Sequence, residues 1–172
     1  MLHVRPADPS DAAAVAAILA DARMLQVLAE PEALTRQRLR DQIRATEHGA
    51  HEVFVAERSP GQDRSAKSDD GAERDEDRGR EVVGVVAVNW THNLRLGVDG
   101  LVSDLFVASR ARGEGAGTAL LDHVKRRASR IGCTRLLLTS GKEGKAYERD
   151  FYPKQGFEEH HELACFLAPV KP

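Results

Sequence analysis

Two cysteines are all that the 172-residue chain carries. Cys133 and Cys165 are too few for a disulfide framework and are not spaced as a metal site, so a stapled secreted scaffold is excluded and a reducing compartment is expected. Charge of one sign is lacking as well. With 25 Lys and Arg against 27 Asp and Glu, the formal net charge is −2, and no global field asks for nucleic acid or a lipid surface. Any charged partner must be recognised locally. No apolar segment approaches membrane-spanning length, and the opening MLHVRPADPSD puts charges and prolines where a secretory signal needs an apolar run. The expectation is a soluble cytoplasmic protein with no nucleic-acid partner and no membrane partner.

Hydrophobic residues make up 41% of the chain, enough for one domain with a real core and hardly enough for two. A single domain over residues 1–172 is expected. Leu2 and Val4 suggest a first strand, and Asp8-Pro9-Ser10-Asp11 offers cap residues before a helical run from Ala12 to Ala22. A second helix opens near Pro31 and runs toward Thr46, and His51 to Glu57 and Glu81 to Trp90 read as strands. Between those strands, Arg58 to Arg80 has no large apolar residue and cannot offset its ordering entropy. It reads as a mobile, solvated hairpin insertion.

After Val98-Asp99-Gly100 comes a strand from Leu101 to Val107, then a glycine-rich turn, then a helix from Thr118 to Ile131 with Leu120, Leu121 and Val124 as its apolar stripe. Thr134 to Thr139 is the next strand, Ser140 to Gly144 a polar turn, Lys145 to Tyr152 a short helix and Glu162 to Leu167 a last strand. The order β-α-α-β-β-β-α-β-α-β describes an α/β domain around a mostly antiparallel sheet with a βαβ crossover.

The turn carries the chemistry. An apolar strand runs into Arg112, Gly113, Gly115 and Gly117 and a helix starts at once, an anion cradle in outline. A Walker-type loop would need a lysine before the Ser or Thr, and Gly117-Thr118 has none. A dinucleotide fingerprint would need an acidic ribose ligand near the end of the following strand, which here ends in Leu138-Thr139-Ser140. Arg112-Gly113-Glu114-Gly115-Ala116-Gly117 instead resembles the R-x-x-G-x-G signature of the GNAT superfamily of N-acetyltransferases, preceded by Leu105-Phe106-Val107 as an entry strand. Phe151-Tyr152-Pro153-Lys154-Gln155-Gly156-Phe157 resembles that family's F-Y-x-x-x-G-F element, and Val4-Arg5-Pro6-Ala7-Asp8 its first strand and turn. The two motifs stand in family order across nearly the whole chain.

The resemblance implies a mixed, mostly antiparallel sheet with helices on both faces and splayed central strands. It also implies acetyl coenzyme A as co-substrate, no metal, and a primary amine as acceptor, attacked directly in a ternary complex. Main-chain N–H groups from Arg112 to Thr118 would hold the diphosphate, and the edge of Leu105, Phe106 and Val107 the pantetheine arm, like an added strand. Tyr152 occupies the position of the general acid, a phenol with an ordinary pKa of ~10 that suits protonation of a thiolate.

Small-amine relatives place a glutamate where this chain has Ser103. Asp104 is adjacent and is a candidate to orient water and amine. Alternation puts Ser103 with Leu105 on one face and Asp104 with Phe106 on the other, unless a bulge intervenes. Trp90 and His92 are weaker candidates for the acceptor pocket, as are Met24, Leu25 and Leu28, for which core packing is the competing role. Lys145 stands where many members have a pantetheine-binding asparagine. Ser140-Gly141-Lys142 resembles the turn of small-molecule acetyltransferases, and Lys142 and Lys145 are either anion contacts or solvated. Cys133 and Cys165 read as packing residues, and His160-His161 lacks further metal ligands nearby. A protein amino terminus or lysine as acceptor, a coenzyme-A-sensing module without turnover, and a homodimer all stay open.

Overall fold

The computed structural model describes residues 1–22, 32–45, 49–59, 80–140, 149–161 and 168. Two compact units are distinguished, Met1–Thr139 and Ser140–Pro172. In the first, five strands pair in the order β1 (Leu2–Pro6), β2 (His51–Arg58), β3 (Glu81–Asn93), β4 (Gly97–Val107) and β5 (Cys133–Leu138). The first three pairings are antiparallel and β4 with β5 is parallel. The parallel pair is joined by α3 (Ala116–Arg130), as a crossover requires.

The sheet is mixed and covered on both faces. β2 and β3 are rich in β-branched residues buried on both sides, because each face has its own helical cover. Under α3, the stripe Ala116, Leu120, Val124 and Ala128 meets Phe54, Ala56, Val83, Val86, Val88, Trp90 and Val102. On the other face, Ala12, Val15 and Ile18 of α1 (Ala12–Asp21) and Ile43 of α2 (Glu32–Arg44) meet Val53, Val55, Val85 and Ala87. A 3-10 turn, Pro9–Asp11, leads into α1; Asp8 accepts from Ser10 N–H, and Asp11 accepts back from Asp8 N–H.

Two expectations need correction. β4 begins at Gly97 rather than Leu101, so Val98-Asp99-Gly100 belongs to the strand. Gly100 is there for close approach: a Cβ would stand 2.5 Å from both Leu136 Cδ2 and Trp90 Cζ3. In the second unit, Arg149 and Asp150 form a turn and the helix α4 runs over Phe151–Lys154, so the helix expected from Lys145 to Tyr152 is interrupted at 149–150; its part before Arg149 lies outside the described residues. Asp150 takes a left-handed φ of 53°, which a short polar side chain tolerates, and Pro153 falls in the first turn, where its missing N–H costs nothing. The strand expected from Glu162 to Leu167 lies outside the described residues, as do Met24, Leu25, Leu28, Lys142, Lys145, Cys165 and positions 60–79 of the insertion.

Candidate functional site

The site is built where β4 runs out. β4 pairs with β5 only from Val98 to Val102, and beyond that point its one partner among the described residues is β3. The register with β3 slips between Ala87 and Val88, which face Asp104 and Val102, so Ser103 is the extra residue of a bulge. Its hydroxyl donates to Ala87 C=O at 3.5 Å, the outer limit for such a bond. Asp104, opposite Ala87, shares a face with Phe106, opposite Val85, as alternation predicts; Ser103 stands outside the alternation. Both Ser103 and Asp104 are exposed.

Amide direction follows from one bond. Ala108 N–H donates to Val83 C=O, so alternation turns the amides of Phe106 toward β3 and those of Leu105 and Val107 away from it. Arg112 Nε reaches the outward Val107 carbonyl at 3.3 Å. A peptide-like ligand lying along this edge would meet Leu105 and Val107, not Phe106.

The turn follows directly. A 3-10 segment, Ser109–Ala111, brings the chain round, and Gly113 (φ 84°) and Gly115 (φ 87°) both take the left-handed conformation that disfavours a Cβ. Cβ atoms built there meet nothing within 4 Å, so open space lies over the loop. Gly115 is the N-cap of α3 and supplies no side-chain cap. The first ladder bond across the cap runs from Ala119 N–H to Gly115 C=O, leaving the N–H groups of Ala116, Gly117 and Thr118 ahead of the helix ladder at its positive end. Residues 112–118 fit a diphosphate.

Two features that sequence reasoning missed brace this loop. Asp21, at the last residue of α1, accepts from both the N–H and the hydroxyl of Ser109 (2.5 and 3.0 Å). The Ser109 N–H first, then its hydroxyl, holds the Asp21 carboxyl below the usual carboxylate range. On the other side, Arg58 donates to both oxygens of Glu114 (3.1 and 2.8 Å) and to Glu81 (2.8 Å), which also accepts from Arg110 Nε (2.7 Å). Arg58 and then Arg110 hold the Glu81 carboxyl below its ordinary value. No short-range pattern marks these partners.

The structure does not bring Trp90 and His92 to this loop. Trp90 lies opposite Gly100 and His92 opposite Val98, at the far end of β4 from Val107, roughly 20 to 30 Å away at the usual strand rise. Trp90 is core under α3, and its indole N–H donates to Glu52, which also takes Arg127 (2.8 and 2.9 Å). Cys133 packs against the same core at the start of β5. In the second unit, Tyr152 is partly buried between Phe151 and Phe157, both edge-on, at ring-centroid separations of 5.3 and 6.5 Å. Phe157 N–H closes the turn on Tyr152 C=O at 3.1 Å. Among the described residues no three His, Cys, Asp or Glu gather as metal donors.

Comparison with known proteins adds the family. A sequence model described as the acetyltransferase (GNAT) domain matches residues 49–159. No curated protein matches the chain. Among solved structures, a transcriptional regulator from Bacillus halodurans C-125 superposes with a TM-score of 0.71 at 24% identity, over 98% of this chain and 100% of that one. Glucosamine-6-phosphate N-acetyltransferase from Arabidopsis thaliana gives 0.67 at 17%, over 97% and 98%. Ribosomal-protein-alanine N-acetyltransferase from Brucella melitensis biovar Abortus 2308 gives 0.68 at 18%, over 99% and 100%. At these identities the likeness is one of fold.

Proposed function

Since the chain belongs to the GNAT acetyltransferase domain family, we propose that it transfers the acetyl group of acetyl coenzyme A to the primary amine of a small molecule by direct attack. One observation carries this reading. An outward strand edge and an anion cradle occur in a single continuous run, Ser103 to Thr118, which suits a ligand with an amide-bearing arm and a diphosphate.

Leu105 and Val107 would pair with the pantetheine arm, and the N–H groups of Gly113 and of residues 115–118 would take the diphosphate, the Glu114 N–H donating to Ala111 C=O. Bound there, the donor supplies an activated acetyl thioester. Asp104, exposed beside the Ser103 bulge, is assigned to orient the amine and accept its proton through water. Tyr152, in the motif Phe151 to Phe157, is assigned the proton donated to the leaving thiolate. No covalent intermediate on the protein is needed.

A small acceptor is favoured by the sequence Ser140-Gly141-Lys142, which resembles a segment of small-molecule acetyltransferases. The fold serves both classes, since its neighbours include an enzyme named for glucosamine 6-phosphate and one named for a ribosomal protein's alanine. The test is thiol release from acetyl coenzyme A across a panel of small amines, peptide amino termini and peptide lysines. The small amines should turn over fastest, and Tyr152→Phe should lower kcat about 100-fold while leaving donor affinity unchanged. Undiminished turnover in that variant would remove Tyr152 from the mechanism. Tight donor binding with no thiol release across the panel would identify a coenzyme-sensing module instead.

A further inference from the structure

A glutamate stands in the middle of a loop shaped for an anion. Glu114 lies between the two left-handed glycines, Gly113 and Gly115, one residue before the N-cap of α3. An uncompensated carboxylate there would repel a diphosphate and offset part of the helix-end attraction. The structure compensates it from a distant part of the chain. Arg58, the last residue of β2, places Nη1 on both oxygens of Glu114 and Nη2 on Glu81, the first residue of β3. Glu81 passes the contact to Arg110, within the turn that enters the loop. Arginine and glutamate thus alternate across the two strand ends and the cradle.

Such exposed pairs contribute little to folding stability: the Glu114 and Glu81 side chains keep 44% and 42% of their exposure. Their consequence is expected in the loop's field and geometry rather than in the melting point. We propose that Arg58 is a positioning residue of the donor site, neutralising the Glu114 carboxylate and holding it aside so that the loop accepts a diphosphate. The ends of β2 and β3 are thereby coupled to donor affinity. This rests on the reading of residues 112–118 as the acetyl coenzyme A cradle.

The test is calorimetric titration of acetyl coenzyme A into wild type, Arg58→Gln, Glu114→Gln and the double variant, at low and at moderate salt, each variant checked for folding by circular dichroism. At low salt Arg58→Gln should raise Kd about threefold to tenfold, with a smaller rise at higher ionic strength. Glu114→Gln should bind no more weakly than wild type, and the double variant should return to within about twofold of it, because the charge needing compensation is gone. Arg58→Lys, which keeps the charge but not the fork that spans Glu114 and Glu81 and serves should the glutamine variant not fold, should bind more weakly than wild type but more tightly than Arg58→Gln. Wild-type affinity in Arg58→Gln, or a double variant as weak as Arg58→Gln, would overturn the inference and leave the cradle standing. Failure of wild type to bind would overturn the cradle itself and this inference with it.

Discussion

Arg5 is the residue on which the start of the chain turns. It donates through Nη1 and Nη2 to Asp11 (2.7 and 2.9 Å) and through Nε to Glu57 (2.7 Å), and both carboxylates are buried. Hydrogen bonding to Asp11 foremost, with Glu57, raises the Arg5 pKa against the effect of burial. The second oxygen of Glu57 has no hydrogen bond; Arg80 and His3 stand at 3.7 and 3.9 Å. Removing Arg5 would strand two buried negative charges, so Arg5→Leu should lower unfolding free energy by about 3 kcal/mol in urea titrations. A loss below about 1 kcal/mol would mean that water or neighbouring cations take over its role. At Gly100 the effect is steric. Gly100→Val would drive a side chain into Trp90 and Leu136 and should destabilise by about 2 kcal/mol, read in the same titration.

Single residues also mark where the sequence is legible and where it is not. The loop is a local pattern, in which glycines at fixed offsets and the following helical stripe are enough to locate a left-handed turn at a helix start, the place proposed for the diphosphate. The start of β4 is less legible, because Gly100 lies inside the strand for close approach to Trp90 and Leu136, which only the packing shows. The slip that isolates Ser103 depends on pairing with Ala87 and Val88 of another strand, which no period along β4 encodes.

At the scale of elements, α1 and the cradle are tied by Asp21 and Ser109, 88 positions apart in sequence. The bond to Ser109 lowers the folded-state pKa of Asp21 from 3.8. A lowered carboxyl contributes stability that is complete above its unfolded value and lost as pH falls through the folded one. Asp21→Asn should therefore melt below wild type at pH 7, with the difference closing under pH ~3.8 as the wild-type carboxyl protonates. A difference that persists unchanged at pH 2 would mean that the contact acts through shape and not charge. Helix α3 carries the cradle at its first turn. Leu120, fully buried one turn in, fixes the helix on the sheet. Leu120→Ala should cost about 3 kcal/mol in urea and weaken donor binding through the displaced helix start.

For the molecule as a whole, the order of elements among the described residues was readable, because patterning and glycine spacing are contiguous in the chain. Helices on both faces follow from strands β2 and β3 being apolar on both sides. The alternating network of Arg58, Glu81, Glu114 and Arg110 was not readable, since its members are brought together only by the sheet. Trp90 and His92, expected as weaker candidates for an acceptor pocket, face Gly100 and Val98 of β4, on the other side of the Ser103 bulge from the loop.

The central claim is that residues 112–118, with the outward edge of β4, hold acetyl coenzyme A. It is tested most directly by titrating acetyl coenzyme A calorimetrically into wild type and into an Arg112→Glu, Gly115→Glu variant that keeps the wild-type circular dichroism spectrum. Clear saturable binding by wild type that vanishes in the variant is the predicted result. No binding by wild type, or equal binding by both proteins, would contradict it.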